Sequence, residues 1–350
     1  MKLFTTLLLA ATLLLIGCKK DPVNTNSSAS VPTFTLGYNV YPSSIAFDVA
    51  QDHGFISADK TKLGTIEKKW GVKINLKQAD YDTLLTMYGN GQADAVTVVA
   101  FDTLAPSFSR PAVNFIPVST SKGGDGCVVV AGIKSVDDLK GKPTYGLEKS
   151  VSNYLFWRYL KQQGKNPADF PFKNMDPDSA AQAIQTNQKD INSAVIWNPG
   201  LLQTIRTRQG SKVLFDSTVI PGEIVDVVVA GKDVLSKPGG ENFLCAVIDC
   251  YYEVCKLTGQ DKVIEEFGTK NSKLNLADMK TILTQTVFYK TSDEAITLFN
   301  SDQFRKGLVE IIAFQREVGS LEKQPYFGFN DETAQVNFTT KYIKMVASKK

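Results

Sequence analysis

The sequence predicts an α/β protein built on open β-sheets, and three observations support this prediction. From residue 33 onward, short apolar stretches that suit buried strands alternate with stretches of helical periodicity, which is typical of sheets covered by helices. A length of 350 residues is enough for about two domains. The composition, 43% hydrophobic and 21% charged, is that of a globular protein. The net charge of +3 is too small to indicate a nucleic-acid partner.

The N-terminal segment has the features of an export signal. Lys2 precedes an apolar run from Leu3 to Ile16, and Gly17 and Cys18 follow that run, which is the order found in cleavable signal peptides. The end of the segment resembles the lipobox of bacterial lipoproteins, which implies cleavage after residues 1–17 and acylation of Cys18. An uncleaved membrane anchor is the alternative, but the run is shorter than the roughly 20 residues needed to cross a bilayer.

Residues 18–32 are predicted to be the lipidated cysteine and a flexible linker, because the segment is rich in Asn and Ser. The first elements of the folded body follow. Ser43 or Ser44 is placed to cap a helix in which Ile45 and Val49 share one face. The predicted strands and helices of this part are Phe34–Asn39, Ser44–Gly54, Val72–Gln78, Tyr81–Asn90 and Ala93–Val99.

A second group of alternating elements begins near Cys127. Its most distinct member is an amphipathic helix at Ser152–Gly164, in which Leu155, Phe156 and Leu160 are the apolar positions. The other predicted strands and helices are Cys127–Ala131, Val136–Leu139, Pro143–Gly146, Ser179–Asn187, Ser193–Trp197, Leu201–Gln209 and Val225–Ala230.

The C-terminal part is predicted to be mostly helical. Cys245, Cys250 and Cys255 fall in one of its helices at spacings of five, which point in different directions around a helix. We therefore expect these thiols, and Cys127, to be buried and free. With a single histidine, His53, and no CxxC pair, neither a metal nor a cofactor is expected. The predicted helices are Asn242–Leu257, Lys262–Phe267, Leu276–Gln285, Ser292–Leu298 and Asp302–Val318.

Five segments in consistent order resemble the substrate-binding proteins of the nitrate/taurine/sulfonate class of ABC importers, the SsuA-like group. The matching segments are Leu36–Phe55, Asn90–Val98, Ser135–Gly164, Ser193–Leu201 and Asp216–Leu235. The resemblance implies a type-II periplasmic binding protein fold, in which two open-sheet lobes hold the ligand in the cleft between them.

The resemblance also implies where the chain passes between the lobes. It predicts a crossing near Gly123–Gly126 and a return near Val229–Ser236. The first lobe then comprises residues 33–122 and the mostly helical residues 237–350, and the second lobe comprises residues 123–236.

Within this class, the sequence is most similar to a subgroup associated with urea or urea carboxylase. The shared segments are Lys68–Ile74, Asp80-Tyr81, Phe101–Leu104, Gly123–Gly126, Ser150–Tyr154, Trp197–Pro199 and Ile220–Asp226. The subgroup usually has His at the position of Asn153, and its Asn-Met-Asp-Ala-Leu segment reads Ala-Phe-Asp-Thr-Leu here, so the ligand stays open.

Candidate ligand-binding residues lie where strands end and helices begin, since ligands of open α/β sheets collect there. Tyr41 and Trp197 are candidate aromatic walls, with a place in the core as the alternative. The remaining candidates start helices, where capping is the alternative to ligand contact. They are Ser43, Ser44, Ser150, Ser152 and Asn153.

Charge in the matched loops separates the ligand classes. The loops contain five acidic residues but only Lys149 among basic ones, whereas Arg or Lys is the usual reader of a planar anion. We therefore expect a neutral amide or a cationic ligand, with Asp102 and Asp226 paired to its N–H groups. The alternative is that these carboxylates cap helices or face solvent. The acidic residues are Asp102, Asp125, Glu148, Glu223 and Asp226.

The predicted function is that of a lipid-anchored receptor in the periplasm or at the cell surface. It closes on a small urea-, amide- or guanidinium-like ligand and delivers it to an ABC permease of the inner membrane. We expect a monomer whose membrane contact is the lipid anchor. Nitrate, taurine or an alkanesulfonate is the alternative ligand.

Two further alternatives concern the class of protein. The fold resembles that of pyrimidine synthases that consume their own active-site His, but no G-x-S-x-G or H-E-x-x-H motif indicates catalysis. The other alternative is a sensor domain that feeds a membrane receptor.

Overall fold

Two mixed β-sheets organise the protein in the computed structural model, which describes residues 30–257, 265, 268, 270 and 274–349. The folded body begins at Pro32. The predicted signal peptide and Cys18 lie outside the described residues. The strands are β1 Thr33–Tyr38, β2 Lys73–Gln78, β3 Ala95–Val99, β4 Ala112–Ser121, β5 Asp125–Val129, β6 Thr144–Gly146, β7 Phe172–Asn174, β8 Ser193–Trp197, β9 Lys212–Asp216, β10 Val225–Gly231, β11 Thr286–Phe288, β12 Phe327–Phe329 and β13 Val336–Phe338.

Helices cover both sheets, and most of them match the predicted segments within a few residues. The predicted helix at Val136–Leu139 is a 3₁₀ turn, and the one at Lys262–Phe267 lies almost entirely outside the described residues. The helices are α1 Ala46–Asp52, α2 Thr65–Trp70, α3 Tyr81–Gly89, α4 Val151–Gln162, α5 Pro177–Gln185, α6 Gly200–Thr207, α7 Gly240–Leu257, α8 Leu276–Thr284, α9 Ser292–Asn300, α10 Asp302–Glu317 and α11 Lys341–Ser348.

The first sheet has the strand order β12-β13-β4-β10-β3-β1-β2, and β11 pairs with β4 on the edge opposite β10. Strand β1 is parallel to both β2 and β3, so the carboxyl ends of these strands lie at one edge of the sheet. The second sheet has the order β7-β6-β8-β5-β9. In it, β5 runs antiparallel to β8, with Asp125 opposite Trp197.

The predicted return of the chain near Val229–Ser236 is too late. Strand β10 pairs antiparallel with β3 and β4 of the first sheet, so the return falls between Asp216 and Val225. The prediction was wrong because every residue of β10 is buried. A strand that is buried on both faces suits the interior of either sheet, so the sequence did not indicate which sheet it joins. The first passage lies between Ser121 and Asp125, within the predicted glycine segment.

Helix α7 is the centre of one of the two main hydrophobic cores, because side chains around its circumference are buried. Phe243 stacks on Phe34 of β1 with ring centroids 4.7 Å apart, and the hydroxyl of Tyr251 donates to the carbonyl of Val118. The prediction of buried, free thiols is confirmed for the cysteines that the structure describes: Cys127, Cys245, Cys250 and Cys255.

Two features are absent from the described residues. No helix among them is long and apolar enough to cross a membrane. No cluster of three or more His, Cys, Asp or Glu side chains in that part of the chain is arranged to hold a metal ion.

Phe243→Ala tests the packing of α7. Phe243 is fully buried, and truncation of such a side chain costs about 3–5 kcal/mol through lost transfer energy and the cavity left behind. We expect a loss of this size in the free energy of unfolding, measured with urea. Val309→Ala, at a side chain that is 61% exposed, is the control, and an equal effect of the two substitutions would contradict this packing.

Candidate functional site

A small cavity lies between the two sheets, and both sheets supply its walls. The first sheet contributes residues after β1, at the end of β3 and at the start of β10. The second sheet contributes the start of β5, the start of α4 and the end of β8. The lining residues are Asn39, Tyr41, Ser44, Tyr81, Thr97, Val98, Val99, Asp125, Val151, Trp197 and Asp226.

Strand register explains why distant parts of the sequence meet here. The parallel strands β1 and β3 end at the same edge of the first sheet. The register of β10 against β3 sets Asp226 opposite Val99. In the second sheet, Asp125 at the start of β5 lies opposite Trp197 at the end of β8.

Two of the lining residues are buried acids. Asp125 is 4% exposed and Asp226 is 8% exposed, and the hydroxyl of Ser119 donates to the carboxylate of Asp226. Burial raises the pKa of Asp125 to about 6. Burial, opposed by the Ser119 hydrogen bond and reinforced by the nearby Asp125 carboxylate, raises the pKa of Asp226 well above its usual range. No Lys or Arg is among the described residues that line the cavity.

A third buried acid, Asp102, stands behind the cavity wall and links the two sheets. Its carboxylate accepts hydrogen bonds from the hydroxyl of Tyr81, at 2.7 Å, and from the hydroxyl of Ser150 at the start of α4. The same Tyr81 oxygen accepts from the backbone N–H of Val99 at 2.8 Å. Burial, only partly offset by these hydroxyls, raises the pKa of Asp102 to about 7.

The other predicted site residues divide into those that reach the cavity and those that do not. Tyr41, Ser44 and Trp197 line it. Ser43 and Ser152 are buried nearby, and their hydroxyl oxygens have no hydrogen-bond partner among the described residues. They remain predicted, not observed, ligand contacts.

Asn153 and the loop before it have local roles. The side-chain oxygen of Asn153 accepts from the backbone N–H of Lys149 at 3.2 Å. Glu148 and Lys149 are exposed. Asn153 therefore orders the start of α4 and is not among the residues that line the cavity.

Glu223, counted among the acidic loop residues, is already neutralised. Arg158 of α4 forms hydrogen bonds of 2.6 and 2.9 Å with its carboxylate, and the hydroxyl of Tyr154 also donates to it. The buried acids near the cavity that no basic side chain pairs with are therefore Asp102, Asp125 and Asp226.

Sequence reasoning missed several lining residues. Asn39 follows strand β1 and Val99 ends strand β3. Their positions at strand ends could have identified both residues. Tyr81 follows Asp80, whose side chain caps α3, so its place at a strand-to-helix junction was also a signal. Thr97 and Val98 carry no such signal, because strand residues give no indication of which end meets another sheet.

The segments that pass between the sheets are bonded to one another. The hydroxyls of Ser121 and Ser217 are 2.8 Å apart, and the hydroxyl of Ser217 also accepts from the N–H of Gly123 at 2.7 Å. Beside them, the side-chain amide of Asn198 donates to the side chain of Gln285 at 2.7 Å. These contacts hold the segments that pass between the sheets side by side.

Contacts on another side hold the second sheet close to helix α10. The indole N–H of Trp157 donates to Glu317 at 2.9 Å, and Lys161 pairs with Glu317 at 3.1 Å. Phe314 contacts the rings of Tyr154 and Trp157, with centroids 5.3 and 5.5 Å apart. These contacts fix α4 of the second sheet against α10.

The free space in the cavity is small. Its volume is about 20 Å³, and one water molecule needs about 10–15 Å³.

Comparison with known proteins confirms the predicted fold class. No protein-family model and no curated protein matches the sequence. Among solved structures, the periplasmic aliphatic sulphonate binding protein SsuA from Escherichia coli is similar, with a TM-score of 0.64, 19% identity and coverage of 83% of this chain and 89% of that chain.

Two further structures have the same fold. The alkanesulfonate-binding protein SsuA from Xanthomonas axonopodis pv. citri, bound to MOPS, gives a TM-score of 0.63 at 16% identity and covers 82% of this chain and 94% of its own. A ligand-binding component of an ABC-type import system from Staphylococcus aureus, with zinc bound, gives 0.64 at 14% identity, with coverage of 83% and 93%. The chain therefore has the α/β fold of periplasmic binding proteins.

Asp102→Asn tests the cost of the buried charge. The folded-state pKa of Asp102 is raised to about 7. In the wild-type protein, the protonated Asp102 therefore contributes to the free energy of unfolding at low pH, and this contribution is lost as the pH rises through about 7. We expect the variant to gain stability relative to wild type between pH 5 and pH 8, by at least about 1 kcal/mol since each pKa unit is worth about 1.4 kcal/mol.

The measurement is the free energy of unfolding in urea at pH 5, 6.5 and 8. Asp302→Asn is the control, because Asp302 is an exposed acid in the first turn of α10. Parallel pH curves for wild type and Asp102→Asn would show that the Asp102 carboxyl is not held in its protonated form.

Proposed function

We propose that this protein is an extracytoplasmic solute-binding protein that closes on a small ligand rich in N–H donors, either a neutral amide or a cation, and presents it to an ABC permease. One observation carries the ligand class: Asp125 and Asp226 line the interlobe cavity without a basic side chain among the described residues beside them. The fold supports the receptor role, and no bond is made or broken in it.

The chemistry of the cavity favours nitrogen ligands. The Oδ2 atom of Asp125 is buried and makes no hydrogen bond of ordinary geometry among the described residues, with the hydroxyls of Ser121 and Tyr41 as its nearby donors, and a buried acceptor that is not fully satisfied is costly. An amide, amidinium or ammonium N–H supplies that donor, and a charged donor gives a stronger hydrogen bond than a neutral one. In its ionised form, a carboxylate pair in a desolvated site also repels an anion.

A sulfonate is the second candidate ligand, and the fold comparison favours it. Both SsuA proteins with this fold are named for binding sulfonates. Hydroxyls of Tyr41 and Ser44 face the same cavity and are able to donate to sulfonate oxygens. The adjacent carboxylates of Asp125 and Asp226 oppose that binding unless they are protonated.

We further propose that the mature chain is a monomer held at the outer face of a membrane through acylated Cys18, with no other contact with the bilayer. The order of Lys2, the apolar run and Cys18 supports this anchor. One acyl chain binds a membrane only marginally, so stable attachment requires more than one chain on Cys18. The linker at residues 18–32 then leaves the folded body free to reach the permease.

A ligand screen by thermal denaturation tests the ligand class. We expect guanidinium, small amides, urea or alkylamines to raise the melting temperature by a few degrees, because a ligand at 100 times its Kd adds about 2.7 kcal/mol of stability. Nitrate, taurine and alkanesulfonates are expected to leave it unchanged.

Asp226→Asn is the matched variant for the screen. It keeps the shape of the side chain and removes the carboxylate, so binding of a cationic hit weakens at least about tenfold, and Asp302→Asn has no effect. Stabilisation by sulfonates alone, or equal binding by Asp226→Asn, would reverse the assigned ligand class.

Mass spectrometry of the N-terminus tests the anchor. We expect the membrane-bound protein to start at Cys18 and to carry acyl groups, and Cys18→Ser to carry none because the thiol is absent. Ser28→Ala in the linker is the control. A mature N-terminus elsewhere, or an unmodified Cys18, would contradict the anchor.

A further inference from the structure

We propose that the ligand binds through a primary ammonium group, whose N–H donors satisfy oxygen atoms inside the cavity that the described part of the protein leaves without partners. The proposal rests on the proposed function and narrows its ligand class from N–H donors in general to one kind of cation. Three features of the cavity carry it: the buried oxygen atoms of the wall, their positions on the strands, and the small volume between them.

Three oxygen atoms of the cavity wall make no hydrogen bond of ordinary geometry among the described residues: Oδ2 of Asp125, Oγ1 of Thr97 and Oη of Tyr41. These residues are 4%, 1% and 6% exposed, in that order, so bulk water does not satisfy the three atoms. The hydroxyl of Ser121 lies near both Asp125 and Tyr41. Each of the three oxygen atoms is able to accept a hydrogen bond, so together they suit a group with several donors.

Strand pairing places Thr97 beside the second acid of the cavity. In the register of β10 against β3, Val228 lies opposite Thr97 and Asp226 lies opposite Val99. Residues two apart on a strand share a face, so the side chains of Thr97 and Asp226 lie on the same face as diagonal neighbours, about 7–8 Å apart. The hydroxyl of Thr97 has no hydrogen-bond partner among the described residues, and a nitrogen placed between the two side chains is able to donate to both.

A primary ammonium matches these oxygen atoms in number and in charge. It carries three N–H donors on one atom, and its charge strengthens each hydrogen bond and balances the carboxylates of Asp125 and Asp226. The cavity volume of about 20 Å³ is close to the space that one water molecule needs, and an ammonium group is similar to water in size. Each methyl group on the nitrogen removes a donor and has to displace the wall.

The aromatic side chains of the cavity suggest an alternative, which is a cage for a quaternary ammonium group. Such a cage holds the cation against the faces of aromatic rings. Here the rings of Tyr81 and Trp197 pack against each other, with centroids 5.4 Å apart, so they enclose no space between them. A quaternary ammonium has no N–H and leaves the oxygen atoms of Asp125 and Thr97 unpaired, which is costly in a buried site. These observations favour the primary ammonium.

Calorimetric titration of the full chain at pH 7 with methylamine, dimethylamine, trimethylamine and tetramethylammonium tests the proposal. All four compounds carry one positive charge at this pH, and the number of N–H donors falls from three to none along the series. We expect methylamine to bind most tightly and each further methyl group to weaken binding about tenfold, which is the effect of leaving one buried acceptor without a donor. A cage of aromatic rings gives the opposite order, and that order would overturn the proposal.

Thr97→Val separates the loss of donors from the increase in size. The substitution keeps the shape of the side chain and removes one acceptor, so methylamine loses a hydrogen bond that dimethylamine does not make. We expect the ratio of the two affinities to fall from about tenfold to less than about threefold. The free energy of unfolding of the free protein should not decrease, because the hydroxyl that is removed has no partner among the described residues and its burial is a cost.

The control is Thr144→Val, at a buried threonine of β6 in the second sheet. The hydroxyl of Thr144 pairs with that of Ser193 at 2.8 Å, and Thr144 is not among the residues that line the cavity. We expect this substitution to lower the melting temperature and to leave the affinity ratio unchanged. If Thr97→Val fails to fold, judged by its melting curve, Thr97→Ala must lower the ratio and Thr97→Ser, which keeps the hydroxyl, must not.

The outcomes separate this proposal from the proposed function. A ratio that Thr97→Val does not change, or binding of urea, amides or guanidinium without binding of methylamine, overturns the primary ammonium while the class of N–H ligands stands. Binding of an alkanesulfonate with no binding of amines, guanidinium or amides overturns the proposed function itself.

Discussion

Three carboxyl groups, Asp102, Asp125 and Asp226, are buried where the two sheets meet, and each needs hydrogen-bond donors in place of water. Asp102 obtains its donors from Tyr81, beside the first sheet, and from Ser150, beside the second, so contact between the sheets satisfies it. Asp125 keeps one oxygen without a partner among the described residues. Under the proposed function, the ligand supplies the donor for that oxygen.

The fold and the chemistry of the cavity carry different information. The arrangement of sheets is shared with proteins named for binding sulfonates, at identities below 20%, and a shared fold does not determine a ligand. The observation that bears on the ligand of this chain is that buried acids, and no basic side chain among the described residues, line the cavity. Arg158, a cation close to the site, is already paired with Glu223.

The sequence was sufficient for much of this structure, for identifiable reasons. Helix α4 and the buried strand β8 were predictable because each has one strong local pattern, and the free thiols followed from helical geometry. The sheet to which β10 belongs was not predictable, because a strand buried on both faces has no preferred partner. The neutralisation of Glu223 was missed for a related reason: Arg158 is distant in sequence and reaches it only in the folded chain.

Proton release during binding is the most direct measurement of the central claim. The titration would use guanidinium or an alkylamine near pH 6 in two buffers of different ionisation enthalpy. Since burial raises the pKa of Asp125 to about 6 and that of Asp226 above its usual range, a cation that binds there must displace protons. We predict net proton release and an affinity that increases from pH 5.5 to 7.5. Binding without proton exchange, or binding of an alkanesulfonate with proton uptake, would contradict the assignment of these carboxylates to a nitrogen ligand.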